Sequence, residues 1–407
     1  MTDTTTDAAA STGTPVTEDS LPSYVADFLS THDPATTPRL EFLRARFDAG
    51  LAWVQYPVGC GGLGLDVAAQ GIVDAALADA GAPDNAPHRN VIGLGMAAPT
   101  ILAHGTAEQQ RQWLRPLWTG EEIWCQLFSE PAAGSDLASL GTKAVRDGDE
   151  WVVNGQKVWT SLAHEASWAL LIARTDPTVP KHRGLTYFVC DMRSPGVDVR
   201  ALRQLTGEAE FNEVFLDNVR VPDVNRLGEV GSGWKVTQST LMNERVAIGA
   251  GAAPREGGPI GFLADLWRQD GTSRTIGSFT SLMQLWVEAE TMRLTTERLR
   301  QQAVAGTPGP EGSGSKLAYS QLAQRVSSLE LDVLGKQGLR FDDWSFRRPN
   351  LDEESGRPAG YRFLRTKGNS IEGGTSEIMR NIIAERILGL PAESRTDTTT
   401  PWNELPR

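Results

Sequence analysis

The chain has 407 residues, 40% hydrophobic and 22% charged, a balance that suits a soluble globular protein of about two or three domains with a sizeable core. Its formal net charge of -12, with no Lys/Arg run, argues against a nucleic-acid partner. Three scattered cysteines (Cys60, Cys125, Cys190) and five histidines show no CxxC or HxxxH spacing, so no metal site is expected. No apolar run of about 18 residues occurs, and the first residues lack a basic and an apolar signal region. The expectation is no membrane span and a reducing, cytoplasmic location.

Residues 1–19 are rich in Thr, Ala, Ser and Asp, and read as a disordered tail. Residues 20–125 read as an N-terminal helical domain. The glycine cluster at 57–64 lacks the Lys-Ser/Thr and GxGxxG patterns of phosphate loops. It reads as a structural turn that lets helices approach. Gly105 would end one helix, and Thr106 with Gln109 forms a capping box that opens the next, through Trp113.

Residues 126–230 read as a central β domain. Short β-rich segments at 151–159, 168–173, 185–190, 197–201 and 213–221 are separated by turns, and Asn154-Gly155 reads as a hairpin dipeptide. Residues 231–392 read as a C-terminal helical domain, with helices at 237–252, 278–303, 315–334 and 376–388. Residues 341–361 form a long polar loop, a feature that is usually functional. Residues 393–407 read as a second tail. The expected fold class is α+β, in the order helices, β-barrel-like domain, helical bundle.

Four motifs follow this order: Ser129-Glu-Pro-Ala-Ala-Gly-Ser-Asp136, Asn154-Gly-Gln-Lys-Val-Trp-Thr-Ser161, Asn243-Glu-Arg245 and Ile371-Glu-Gly-Gly-Thr-Ser-Glu-Ile378. In sequence and spacing they resemble the acyl-CoA dehydrogenase family, over residues 50–390. The resemblance implies FAD as cofactor and the α,β-dehydrogenation of an acyl-CoA thioester.

It also implies roles, residue by residue. Ser129 matches a hydroxyl that bonds the flavin pyrimidine, with Gln126 and Phe128 beside it. Gly134 and Ser135 match a turn near the pyrophosphate and the CoA arm. Trp159 matches the aromatic that packs on the flavin ring, followed by Thr160, and Ser161 matches the hydroxyl donor to flavin N5. Thr375 and Glu377 match positions along the other half of FAD, and Arg274 matches a residue reaching a neighbouring subunit's pyrophosphate.

Glu244 is the expected catalytic base, because a carboxylate buried in an apolar pocket becomes a stronger base. The family's other base position is occupied here by Gly373, which has no side chain to act. Gly373 still matches the backbone N–H that binds the thioester oxygen, and Arg245 matches a position near CoA. Met242, Asp332 and Lys336 depart from the family pattern near CoA and the partner's adenine.

The implied partners are the acyl-CoA substrate and electron-transferring flavoprotein, within a homotetramer, homodimer or heterotetramer. An acyl-CoA oxidase, a flavin N-oxygenase on the same scaffold, and a non-catalytic subunit of a heteromer stay open as alternatives.

Overall fold

The computed structural model describes residues 15–249, 254–269, 274–304, 309–341, 343–349, 357–393 and 397–406. The chain divides after Asn85 into two compact units. In the first, α1 (Leu21–Thr31), α2 (Arg39–Asp48) and α3 (Gln70–Asp79) surround a small core. Leu21, Val25 and Phe28 recur at helical spacing and pack with Phe42, Val73 and Leu77. Of the stretch read as an N-terminal tail, residues 1–14 lie outside the described residues, and Val16 packs against this core.

The glycine cluster is a turn whose need for glycine comes from its own backbone. A Cβ on Gly62 would sit 2.1 Å from the Tyr56 carbonyl oxygen and 2.4 Å from that of Trp53. Gly59, Gly61 and Gly64 all have positive φ.

The second unit opens with α4 (Ala98–His104) and α5 (Ala107–Thr119). The capping box forms as expected: Thr106 Oγ1 accepts from the Gln109 amide, and the Gln109 side chain accepts from the Thr106 amide. The helix runs past the expected Trp113 and stops at Gly120, whose φ of 77° is left-handed.

Next comes a sheet of eight strands among the described residues: β1 (Trp124–Leu127), β2 (Lys143–Asp147), β3 (Glu150–Ser161), β4 (Trp168–Arg174), β5 (Leu185–Asp191), β6 (Val197–Ala201), β7 (Phe211–Pro222) and β8 (Arg226–Leu227). The order is β6-β7-β3-β2-β4-β5-β8, with β1 parallel to β4. Trp151, Val153, Ala169, Leu171, Phe188, Val214 and Val219 form its core.

The hairpin turn between β2 and β3 falls at Gly148-Asp149, not at Asn154-Gly155. Gly155 lies inside β3 at a register shift, where a Cβ would meet Thr142 Oγ1 at 2.2 Å.

The remaining helices are α6 (Gly233–Gly249), α7 (Pro259–Gln269), α8 (Ile276–Val304), α9 (Gly312–Leu334), α10 (Ala359–Arg365) and α11 (Ser376–Ile382), the last continuing as a π turn to Ile387. Ile260, Leu263, Leu282, Leu285, Leu322, Val326 and Val333 join α7, α8 and α9 in one core. α6 is fixed to α4 and β5 by a buried hydroxyl cluster. Thr240 Oγ1 lies 3.0 Å from both Thr100 Oγ1 and the Tyr187 hydroxyl, and it donates to the Val236 carbonyl at 3.1 Å.

The long loop is pinned to the β domain through one buried carboxylate. Glu208 pairs with Arg347 at 3.2 Å and Arg357 at 2.6 Å, and accepts from the Tyr361 hydroxyl at 2.8 Å. Of the stretch read as a C-terminal tail, residues 397–406 also lie against the β domain, with the Trp402 amide donating to the Val179 carbonyl.

Lys157 of β3 ties β4 to the segment that follows β1. Its side chain is fully buried, and its ammonium donates to the carbonyls of Phe128 (2.9 Å) and Ile172 (3.0 Å) and to the Glu130 carboxylate (2.9 Å). Glu130 also accepts from the amides of Gly141 (2.7 Å) and Thr142 (2.9 Å). Burial alone would raise the Glu130 carboxyl, but the Lys157 charge and these donors hold it below the usual range. Burial pulls Lys157 below the ordinary amine range, against Glu130.

Lys157→Met leaves a buried carboxylate without its cation, so it is expected to lower stability by about 3–5 kcal/mol in chemical denaturation. A loss below about 1 kcal/mol would show that the pair behaves like a surface ion pair. A depressed carboxyl stabilises the fold above its unfolded value of about 4.3, and that contribution fades as pH falls through the lower folded value. Glu130→Gln is therefore expected to flatten the fall in stability below about pH 4 relative to the parent. Parallel acid profiles would contradict the assignment.

Candidate active site

The motif that follows β1 and the motif on β3 are brought side by side by Lys157. The Ser129 carbonyl accepts from the Val158 amide at 2.9 Å, so the end of one motif is hydrogen-bonded to the middle of the next. Phe128 is buried, edge-on to Tyr187 with ring centroids 5.9 Å apart. Gln126 is half-buried, and its Oε1 finds no hydrogen-bond partner among the described residues.

Past Lys157 the strand pairing slips, and Trp159 takes a φ of 61°. Positive φ is rare and costly for a bulky residue, and such strain gathers at functional sites. The indole is 59% exposed, resting edge-on against Phe211 with centroids 5.9 Å apart. Thr160 is buried, and its Oγ1 has no partner among the described residues; Ser161 is half-buried opposite Phe211. Asn212 steadies this bulge. It is fully buried, donates to the Thr160 carbonyl at 2.9 Å and accepts from Arg348 of the long loop at 2.6 Å.

Phe211 links the strand to the C-terminal motif. The Arg365 guanidinium lies 5.5 Å above its ring, and contacts Glu210 at 3.5 Å and Glu372 at 3.0 Å. Burial pushes the Glu210 carboxyl up against the opposing Arg365 charge, with Glu372 and Glu208 adding to the rise. Glu372 therefore belongs to an ion-pair network.

Gly373 and Gly374 follow with φ of 62° and 92°, a left-handed pair that side chains rarely adopt. Lys316 of α9 clamps them by donating to the Gly374 carbonyl at 2.5 Å and the Asn369 carbonyl at 2.9 Å. Thr375 then caps α11, its Oγ1 accepting from the Ile378 amide at 3.2 Å, and Glu377 pairs with Arg380 at 3.1 Å.

A cavity of about 970 Å³ lies among α6, α7, α8 and α9. Met242 and Asn243 line it together with Gly373, and Trp286, Leu322 and Val326 give it an apolar wall. Glu244 and Arg245 follow directly in α6, but their side chains lie outside the described residues. Arg274 is placed away from this group: it is exposed and donates to the carbonyls of Trp267 (2.5 Å) and Arg268 (2.9 Å) at the end of α7. Among the described residues no cluster of metal ligands occurs, and no helix is long and apolar enough to cross a membrane.

The residues fit a flat aromatic cofactor with a phosphate-bearing arm. A large apolar ring is held open at the end of β3 by a strained backbone, and the unpartnered Gln126 oxygen lies on β1. Gly134 and Ser135 are exposed, and a Cβ on Gly134 would meet nothing within 4 Å, leaving backbone open to a ligand.

Sequence reasoning missed the parts that position these groups: Lys157, Glu130, Asn212 and Arg365. Lys157 gave a signal, since it shares strand parity with the buried Trp151 and Val153 and so needed a partner.

The sequence matches three family profiles in succession: "Acyl-CoA dehydrogenase, N-terminal domain" at residues 16–121, "middle domain" at 125–219 and "C-terminal domain" at 231–388. The chain is 42% identical over 355 residues to the acyl-CoA dehydrogenase FadE34 of Mycobacterium tuberculosis, covering 84% of this chain but only 45% of that protein. It is 38% identical over 347 residues to the acyl-CoA dehydrogenase IpdE1 of the same organism, covering 85% of this chain and 86% of that one. Among solved structures it resembles the Tcur3481-Tcur3483 steroid ACAD, with a TM-score of 0.69 and 26% identity over 92% of this chain and 98% of that one. The motifs, the helix–sheet–helix order and these likenesses agree, and the chain belongs to the acyl-CoA dehydrogenase family.

Proposed function

We propose that this protein binds FAD and oxidises an acyl-CoA thioester at its α,β carbons to the trans-2-enoyl product, with Glu244 as the base. The observation that carries this reading is the 970 Å³ cavity, lined by Gly373 and by Met242 and Asn243, the residues that directly precede Glu244. Proton removal and charge stabilisation are thereby assigned to one chamber.

In this mechanism the thioester enters with its acyl group in the cavity. Glu244 takes the α-proton, and the Gly373 N–H holds the thioester oxygen as negative charge develops there. The left-handed Gly373–Gly374 backbone and the Lys316 clamp fix that donor. Trp159, Ser129 and Ser161 would hold the flavin ring, Gly134 and Ser135 would contact its pyrophosphate or the CoA arm, and Thr375 and Glu377 would hold its other half. The chemistry that FAD would supply there is acceptance of the β-hydride. Arg245 orients the CoA side of the pocket.

The cavity walls favour a bulky apolar acyl group. The name of the solved steroid ACAD leads us to propose a steroid-derived thioester before a straight chain. The partners we propose are electron-transferring flavoprotein and at least one further subunit. Ile276, Phe279, Met283, Val287 and Leu294 line an exposed apolar stripe of α8 at spacings of three, four or seven, while Leu282 and Leu285 face inward. A helix apolar on both faces calls for cover on the second. The solved ChsE4-ChsE5 complex from Mycobacterium tuberculosis, similar at a TM-score of 0.67, supports a heteromer as readily as a homo-oligomer. Arg274, exposed near the start of α8 and donating to the carbonyls of Trp267 and Arg268, lies beside this stripe. The cysteines are buried thiols, in keeping with a cytoplasmic setting.

Glu244→Gln is expected to slow exchange of the acyl-CoA α-proton with deuterated solvent by about 10²–10⁴-fold, the usual worth of a general base, with CoA-thioester binding retained. Exchange at the parent rate would assign the base elsewhere. Trp159→Ala removes an exposed ring, so thermal stability is expected to stay near the parent's while the purified protein loses its flavin absorbance. Full flavin retention would remove Trp159 from the cofactor site.

A further inference from the structure

The C-terminal segment is held to the β domain by a set of specific contacts. Pro401 bridges to Pro180, and the amides of Trp402 and Asn403 donate to the carbonyls of Val179 and Pro177, each at 3.0 Å. The Trp402 indole N–H donates to the Ser139 carbonyl at 3.1 Å, and its ring lies 4.3 Å from the Arg174 guanidinium. Arg174 donates in turn to the carbonyls of Ala138 (2.6 Å) and Leu140 (3.0 Å).

A buried lysine completes the attachment. The Lys181 side chain is only 2% exposed, and its ammonium lies 2.7 Å from both carboxylate oxygens of Asp136 and 2.5 Å from Asp397. Asp136 also accepts from Ser139 Oγ at 2.6 Å. The stretch 136–140 is thus gripped by Arg174 of β4, by Lys181 of the turn between β4 and β5, and by Asp397 and Trp402 from the C-terminal segment. It begins at the residue after Gly134-Ser135, whose exposed backbone has open space around it.

We infer that residues 397–405 are a strap that positions the Gly134–Ser135 turn, and through it a pyrophosphate carried by FAD or by CoA. The inference rests on the reading of that turn as a ligand contact. The strap is a positioning element: it reaches the ligand only through Asp136 and Ser139. With one cation shared between two carboxylates, loss of Asp397 leaves Lys181 paired, so the fold survives while the turn loosens.

The test compares the parent with the double variant Asp397→Asn/Trp402→Ala, and with Glu404→Gln as a control on an exposed strap residue. FAD retention is followed by dissociation of the bound flavin. Binding of CoA and of pantetheine, which lacks the pyrophosphate, is titrated on the full-length protein. The double variant is expected to weaken FAD or CoA about tenfold, with pantetheine and the control unchanged. A loss confined to FAD assigns the pyrophosphate to the cofactor, and one confined to CoA assigns it to the substrate. FAD and CoA affinities within twofold of the parent, or an equal loss for pantetheine, would overturn the strap. A parent that binds neither FAD nor CoA would overturn the reading of the site itself.

Discussion

A single buried ammonium organises the sheet side of the candidate site. Lys157 takes three acceptors from two segments: the Phe128 carbonyl and the Glu130 carboxylate just after β1, and the Ile172 carbonyl of β4. Glu130 fixes the loop at Gly141 and Thr142 in turn. A buried charge is costly unless every donor is met, so this geometry admits few alternatives. The strand must then leave Lys157 in a set direction. Two residues later it slips register and presents Trp159 at positive φ, braced by Phe211. The residues proposed to face the ligand differ in kind from those that hold them. The first are aromatic, hydroxyl or bare backbone; the second are charged and satisfied.

The helical side follows a different logic. α6 is held by hydroxyls, with Thr240 meeting Thr100 and Tyr187, while the C-terminal motif is held by Lys316 and by the Arg365–Glu372 pair. Between them α7, α8 and α9 leave a chamber instead of closing fully on one another. The two sides differ accordingly: the end of β3 exposes an aromatic ring, and the bundle encloses a cavity. The long loop, through Glu208 and the Arg348–Asn212 contact, joins the bundle to β7, which pairs with the strand that carries Trp159.

Features fixed by local chemistry were legible in the sequence. The Thr106–Gln109 capping box formed where its spacing said it would, and the 57–64 glycines make a turn. The order of helices, sheet and helices followed from β-rich segments and from four motifs in register. Long-range features were not legible. β2 buries only Ala144 of its five residues, so it lacked an apolar alternation to detect. α10 is seven residues long, beside a polar loop, and its one buried residue is Ala359. Asn154-Gly155 has the composition of a hairpin turn, yet Thr142 packs where a glycine Cβ would be, and the chain turns at Gly148. Residues 393–407 have the composition of a tail, but one tryptophan and one aspartate find a buried arginine and lysine about 220 residues away in sequence. No local rule anticipates that meeting.

The central claim is that these pieces assemble an FAD-dependent oxidation of an acyl-CoA. The most direct measurement is the visible spectrum of the purified full chain, titrated anaerobically with a panel of acyl-CoA thioesters that includes steroid-derived ones. The account predicts a yellow protein whose flavin bands bleach with at least one thioester. A colourless protein would contradict it and mark this chain as dependent on a partner for its cofactor. Flavin bands that persist through the whole panel would contradict the assigned reaction.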